Sequence, residues 1–224
     1  MTPLLLVNDV LSDLARYLPD LLGGLRISVL LTVVSLVLGG PAAVVLAVGV
    51  TAHNAFARWP ATLIVEFGRG APVLVVLQLA YYGLPQAGLT LSAMLSAVAA
   101  LTWMTAAYMA EYLRGGLAGV PAGEIEGCQA LGMSHGDTLR FVVIPQGFRI
   151  ALPSLMGFTV MLFQATSLAY SVAVPELMSR AYSIGSSNFR YLSIFVAAGL
   201  LYAAISVPCT WLSVWVERRL NQHA

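Results

Sequence analysis

The chain has 224 residues, 59% hydrophobic and 9% charged, with a mean hydropathy of +0.85 and a formal net charge of +1. Soluble domains carry about a quarter charged residues, so this surface cannot face water throughout and its solvent is lipid. A charge so near zero also excludes the basic face that nucleic acid requires.

The first twenty residues carry Asp9, Asp13 and Asp20 without a basic leader, so they do not read as a cleaved signal peptide. Leu4, Leu5, Leu11, Leu14 and Leu18 instead predict a short amphipathic segment at the membrane surface over 1–20, ahead of a transmembrane domain over 21–220. A membrane-crossing helix needs about 20 apolar residues. Ile27 to Ala57 holds no Asp, Glu or Arg, which predicts a first span over 22–50, kinked or loosened at Gly39-Gly40-Pro41. Gly70 to Ala110 is also free of charge and is long enough for two helices. Tyr82 to Gly88 reads as the turn between them, so one span ends near Tyr82 and the next runs from Leu89 to Tyr112. Ile150 to Pro175 and Tyr191 to Val216 supply the fourth and fifth.

Five spans put the two ends on opposite sides. With the C-terminus inside, the inner side holds Arg58, Arg114, Arg140, Arg149, Arg218 and Arg219, against Arg16, Arg26, Arg180 and Arg190 outside. That bias predicts N-terminus out and C-terminus in. Trp59, Trp211 and Trp215 then sit near inner span ends, as belt residues do.

Between spans three and four lies a long inner loop, 115–148. Pro121 to Glu124 reads as a helix start, with Glu124 and Glu126 where the positive helix end favours acids. Gly132 is placed to end that helix in the left-handed conformation. Ser134 then caps a second short helix, with Asp137 at its third position, and Pro145 stops or bends it. Ile125, Cys128, Leu131 and Met133 have no lipid to cover them there, which points to a protein partner. The plain alternative is a capped surface helix pair with no partner.

Other polar groups fall inside spans. Glu66 and Arg69 stand within the second, where an ionisable group costs at least ~2.5 kcal/mol at mid-bilayer. They can pair at i,i+3, and Pro72 removes a backbone donor just beyond, so the helix breaks there. Charge beside a broken helix is one way transporters build a solute site; a structural ion pair is the competing reading. Gln164, Thr166 and Ser167 make the fourth span polar, for solute or for helix–helix hydrogen bonds. Glu111 and Arg114 read as a structural pair. Pro175 to Arg190 is an outer loop or short re-entrant segment, either a contact for an outside protein or a plain connector. Cys128 and Cys209 fall in different surroundings, and His53, His135 and His223 are scattered, so neither a disulfide framework nor a metal or catalytic set is expected.

The inner loop resembles the signature of ABC importer permeases: Glu-Ala-Ala, three residues, Gly, nine residues, Ile, one residue, Leu-Pro. Here Glu126-Gly127-Cys128 takes the first place, then come Gly132, Val142 and Ile144-Pro145 at the same spacing. Gly127 for Ala weakens the helix by up to about 1 kcal/mol. Glu66 to Pro72, Tyr81 to Pro85, Ala107 to Gly116, Ile144 to Arg149, Thr166-Ser167-Leu168, Val174 to Leu177 and Glu217 to Leu220 are each similar to segments of the polar amino acid branch. Gln164 stands where that branch usually carries Lys, which bears on solute charge preference.

The resemblance implies an all-α type I permease fold in a bacterial inner membrane, crossing it several times. It implies uptake of a polar amino acid, or of an opine or other polar solute. The implied partners are two copies of an ABC ATP-binding subunit, a second permease subunit, identical or related, and an extracytoplasmic solute-binding protein. The glycine-rich stretches lack the Gly-Lys-Ser/Thr ending of a phosphate loop, so ATP and Mg are expected on the partner ATPase and no cofactor on this chain. Glu126, Gly127, Cys128, Gly132, Met133, Ser134 and Pro145 are the expected ATPase-docking residues. Glu66, Arg69, Gln164, Thr166 and Ser167 are the expected solute pathway. A membrane scaffold that recruits an ATPase is the rival, and it leaves Glu66, Arg69 and Pro72 unexplained.

Overall fold

The computed structural model describes residues 3–221, with side chains from Val10 to Leu220. Every regular element among them is helical. That follows from lipid as solvent, since a backbone with no water must satisfy its own N–H and C=O groups. The helices are α1 (Pro3–Val50), α2 (Ala55–Gly70), α3 (Val73–Gln78), α4 (Ala93–Ala118), α5 (Ala122–Ala130), α6 (His135–Thr138), α7 (Ile144–Ala165), α8 (Leu177–Asn188) and α9 (Tyr191–Asn221). Four runs are long and apolar enough to cross a membrane: Val10–Val50, Ala93–Ala118, His135–Val172 and Tyr191–Leu220. α2 and the run Val73–Ala87 make a fifth candidate, bent by 108°. The bend sits at Ala71-Pro72, the break expected from the sequence.

Three boundaries differ from expectation. The stretch 1–20 is not a separate surface segment, because α1 is helical from Pro3 and continues into the first span. Leu14, Tyr17 and Leu21 pack against Leu177, Ala181 and Ile194 of α8 and α9, so its apolar face meets protein. Leu4 and Leu5 have no described side chains. Gly39-Gly40-Pro41 lies within α1, which stays helical through it; the absent Cβ of Gly39 lets Thr105 of α4 pack close.

The loop 115–148 is shorter than expected at both ends. α4 extends to Ala118, and the fourth span belongs to a helical run that begins at His135. Pro145 therefore does not stop the helix. The chain widens into a π turn over Leu139–Val143 and resumes α-helix at Ile144, with Pro145 in the first turn, where a missing N–H does least harm.

The main core joins α1, α3, α4 and α7 through Leu31, Leu77, Leu101, Phe158 and Leu162. A smaller cluster joins α1, α2 and α4 at Ala43, Ala47, Val65 and Ala110. Val37 and Val45 remain 64% and 71% exposed, an apolar surface that a lipid solvent tolerates. Small residues let helices touch where lipid gives no hydrophobic drive. At the α4–α7 crossing, a Cβ on Gly147 would lie 2.8 Å from Leu117 Cα, and one on Gly116 would overlap the Gly147 carbonyl.

That crossing makes a testable contrast. Gly147→Ala forces backbone apart and is expected to cost about 1–3 kcal/mol. Gly157→Ala on the same helix meets nothing within 4 Å, and is expected to be neutral or stabilising by up to about 1 kcal/mol. Thermal unfolding of the detergent-solubilised protein reads both; equal melting points would refute the close contact.

Candidate docking surface and polar groups of the spans

α5 ends as its sequence dictates. Gly132 has φ +75°. The Met133 N–H donates to the Cys128 carbonyl at 3.0 Å and the Gly132 N–H to the Gln129 carbonyl at 2.9 Å, the paired bonds of a Schellman cap. Ser134 then caps α6: its hydroxyl accepts from the Asp137 N–H at 3.1 Å and donates to the Asp137 carboxylate at 2.6 Å. Gln146 of α7 donates to Glu124, tying α5 to the base of the fourth span.

The result is a compact protrusion. Glu126, Gly127, Gly132, Ser134 and Pro145 are exposed, and Met133 is half-buried. Cys128 differs from its expected place. It is buried against its own chain and offers a partner nothing. Leu131 is instead the outward apolar side chain of this unit, at 83% exposure. Both Cys128 and Cys209 are free thiols.

In the spans, Arg69 does not belong to Glu66 alone. Its Nη1 lies 3.8 Å from Glu66 and 3.7 Å from Glu111, both loose contacts. Glu111 is held more tightly by Arg114, which donates twice, at 2.5 and 3.0 Å. Four charges on α2 and α4 thus form one chain, and Glu66 at its end keeps 65% of its side chain exposed. Tyr108 donates to the Arg69 carbonyl at 3.2 Å, beside the break, and stacks on Phe158 of α7. Glu66, Glu111, Arg114, Thr51 and Thr62 line a shared polar cavity.

The second predicted group is on α7 and the turn that follows it. Gln164 is exposed and Ser167 half-buried. Thr166 is fully buried and donates to the Phe163 carbonyl at 2.6 Å, so its hydroxyl holds the end of α7, where the helix tightens into a 3-10 turn over Thr166–Val172. Among the described residues, no three His, Cys, Asp or Glu converge as metal ligands.

Sequence reasoning missed the role of Glu176. It is fully buried and caps α8. Oε2 accepts from Tyr202 and the Met178 N–H, each at 2.8 Å, and from Ser28 at 3.3 Å, while Oε1 accepts from the Ser179 N–H at 2.8 Å. Burial pushes this carboxyl above the usual carboxylate range, and the donors pull the other way. Its partners lie 148 residues earlier and 26 later, so no local pattern reports them. Its place just ahead of a short helix was the available signal.

Residues 14–222 match the family described as binding-protein-dependent transport system inner membrane component. The chain belongs to that family. A probable amino-acid ABC transporter permease, YckA of Bacillus subtilis (strain 168), is 35% identical over 187 residues, covering 84% of this chain and 83% of that protein. The histidine/lysine/arginine/ornithine permease HisM of Salmonella typhimurium is 34% identical over 210 residues, with 89% of each covered. A crystal structure of an amino acid ABC transporter with histidines superposes at a TM-score of 0.88 and 28% identity, over 92% of this chain and 97% of that one. The chain is an ABC importer permease of the type I fold, a transport subunit and helical membrane protein.

The cap makes a second contrast. Gly132→Ala puts a Cβ in left-handed backbone at about 1–2 kcal/mol and is expected to weaken binding of the ATP-binding subunit about fivefold to tenfold. Gly127→Ala meets nothing within 4 Å and favours the helix by up to about 1 kcal/mol; it is expected to bind as wild type or better. Titration of the purified ATPase against each variant in nanodiscs decides.

Proposed function

We propose that this chain lines the pathway for a polar amino acid together with a second permease subunit, and passes ATP-driven motion to it through the α5–α6 protrusion. The carrying observation is that protrusion. A two-helix unit fixed by Gly132 and Ser134 presents Glu126 and Leu131 outward, at the spacing of the importer signature. Glu126, Gly127, Gly132, Met133, Ser134 and Pro145 form the docking surface, and Cys128 braces it from within.

The protrusion faces the cytoplasm, with the N-terminus outside and the C-terminus inside a bacterial inner membrane. Two ATP-binding subunits hold ATP and Mg, and an extracytoplasmic binding protein delivers the solute. This chain is non-catalytic. Closure of the ATPase pair moves α5 and α6, which are rooted in α4 and in the His135–Val172 run, and so alternates access along the spans. The amino acid class is supported by the 35% and 34% identical relatives, whose names carry amino-acid substrates. Glu66, Arg69, Gln164 and Ser167 are the pathway groups left accessible; Thr166 shapes the turn beside them.

The test is reconstitution with the ATPase and binding protein and uptake of a panel of radiolabelled amino acids. Glu126→Arg is expected to lower ATPase association at least about tenfold, because a reversed charge at a docked surface is repelled, and to abolish uptake. Intact association and uptake in that variant would refute the docking surface.

A further inference from the structure

α8 packs on α1 and α9 through Leu177 and Ala181, and directional bonds hold it at both ends. At its start, Glu176 accepts from Ser28 of α1 and Tyr202 of α9, and Ser28 Oγ in turn accepts from the Leu177 N–H at 3.3 Å. At its end, Asn188 donates to Tyr17 of α1 at 2.9 Å, and Arg190 pairs at 3.0 Å with Asp13, which is buried. The helix is flanked by Ala173 and Phe189, the two non-glycine residues with left-handed backbone among those described, at φ 61° and 56°. Such backbone costs about 1–3 kcal/mol at each position and persists only where surrounding contacts enforce it.

Tyr202 links this node to the fourth span. Its ring packs on Phe163, with centroids 5.3 Å apart, one turn before Thr166. Its hydroxyl bonds both Glu176 and Ser28. α1 approaches the same point closely, since a Cβ on Gly24 would lie 2.8 Å from Leu177 Cα. Glu176 itself cannot be a solute ligand: it is fully buried, and its two oxygens already take four donors.

We propose that Glu176 is a positioning residue of the transport step, fixing α8 to α1 and, through Tyr202 and Phe163, the end of α7, which carries Gln164 and leads into the Thr166–Val172 turn. The Ser28 bonds, at 3.3 Å, are the long ones, whereas the bonds within the α8 cap are 2.8 Å. This inference rests on the importer reading and adds a residue that touches neither solute nor ATPase.

The experiment uses the complete complex in proteoliposomes with radiolabelled L-histidine, L-arginine and L-cystine as probes. Glu176→Gln keeps the volume but turns an amide toward donors. It is expected to assemble with the ATPase as wild type does, to lower maximal uptake about tenfold as a lost hydrogen bond at a buried polar group does, and to leave the half-saturation concentration unchanged. Glu176→Asp is expected to restore part of the rate. Unchanged uptake, or a raised half-saturation concentration at an unchanged maximal rate, overturns the proposal. If Glu176→Gln fails to assemble, Tyr202→Phe removes one donor and is expected to cost about threefold in maximal rate; wild-type rates there overturn it. A wild-type complex that imports none of the three probes counts against the amino acid class instead. ATP hydrolysis by the same complexes then decides, with a lowered rate in the variants supporting the role of Glu176 and equal rates refuting it.

Discussion

A chain dissolved in lipid must satisfy each backbone N–H and C=O from within, and every other feature of this protein depends on that constraint. It makes the described elements helical and keeps four runs continuous across the width of a membrane. It also makes departures from the α-helix informative. The break at Ala71-Pro72 follows Arg69 by two residues, and the 3-10 turn at Thr166 follows Gln164 by two. Polar side chains and loosened backbone thus coincide, which is how a membrane protein builds a polar path without exposing bare peptide groups to hydrocarbon.

Much of this was legible because it is local. Gly132 and Ser134 act on residues within five positions, so their caps could be read directly. The break at Pro72 follows from one missing donor. The charge-free stretches located each span, because charge is expensive in lipid wherever the helix packs, while the helical runs begin well ahead of the first and fourth of them, at Val10 and His135.

What was not legible depends on distant partners. Leu14 and Tyr17 form an apolar face that suits a membrane surface as well as it suits α8 and α9; only the fold shows that protein covers it. The same holds for Asp13, whose buried carboxylate meets Ser193 and Arg190 some 180 residues later. Cys128 looked outward because the helical period alone cannot say which flank of a short helix its own chain covers. Pro145 misled for another reason: a π turn takes up the strain that would otherwise end a helix, and its presence is decided by the neighbouring packing.

The continuity of α1 sets how far one helix reaches. The charge-free part, from Ile27 to Val50, spans about 36 Å at 1.5 Å per residue, enough for a hydrocarbon layer of about 30 Å. The stretch from Val10 to Arg26 adds about 25 Å of the same helix beyond it, with Pro19 inside it. One element thus supplies both a membrane crossing and, past it, the apolar face that α8 and α9 pack against.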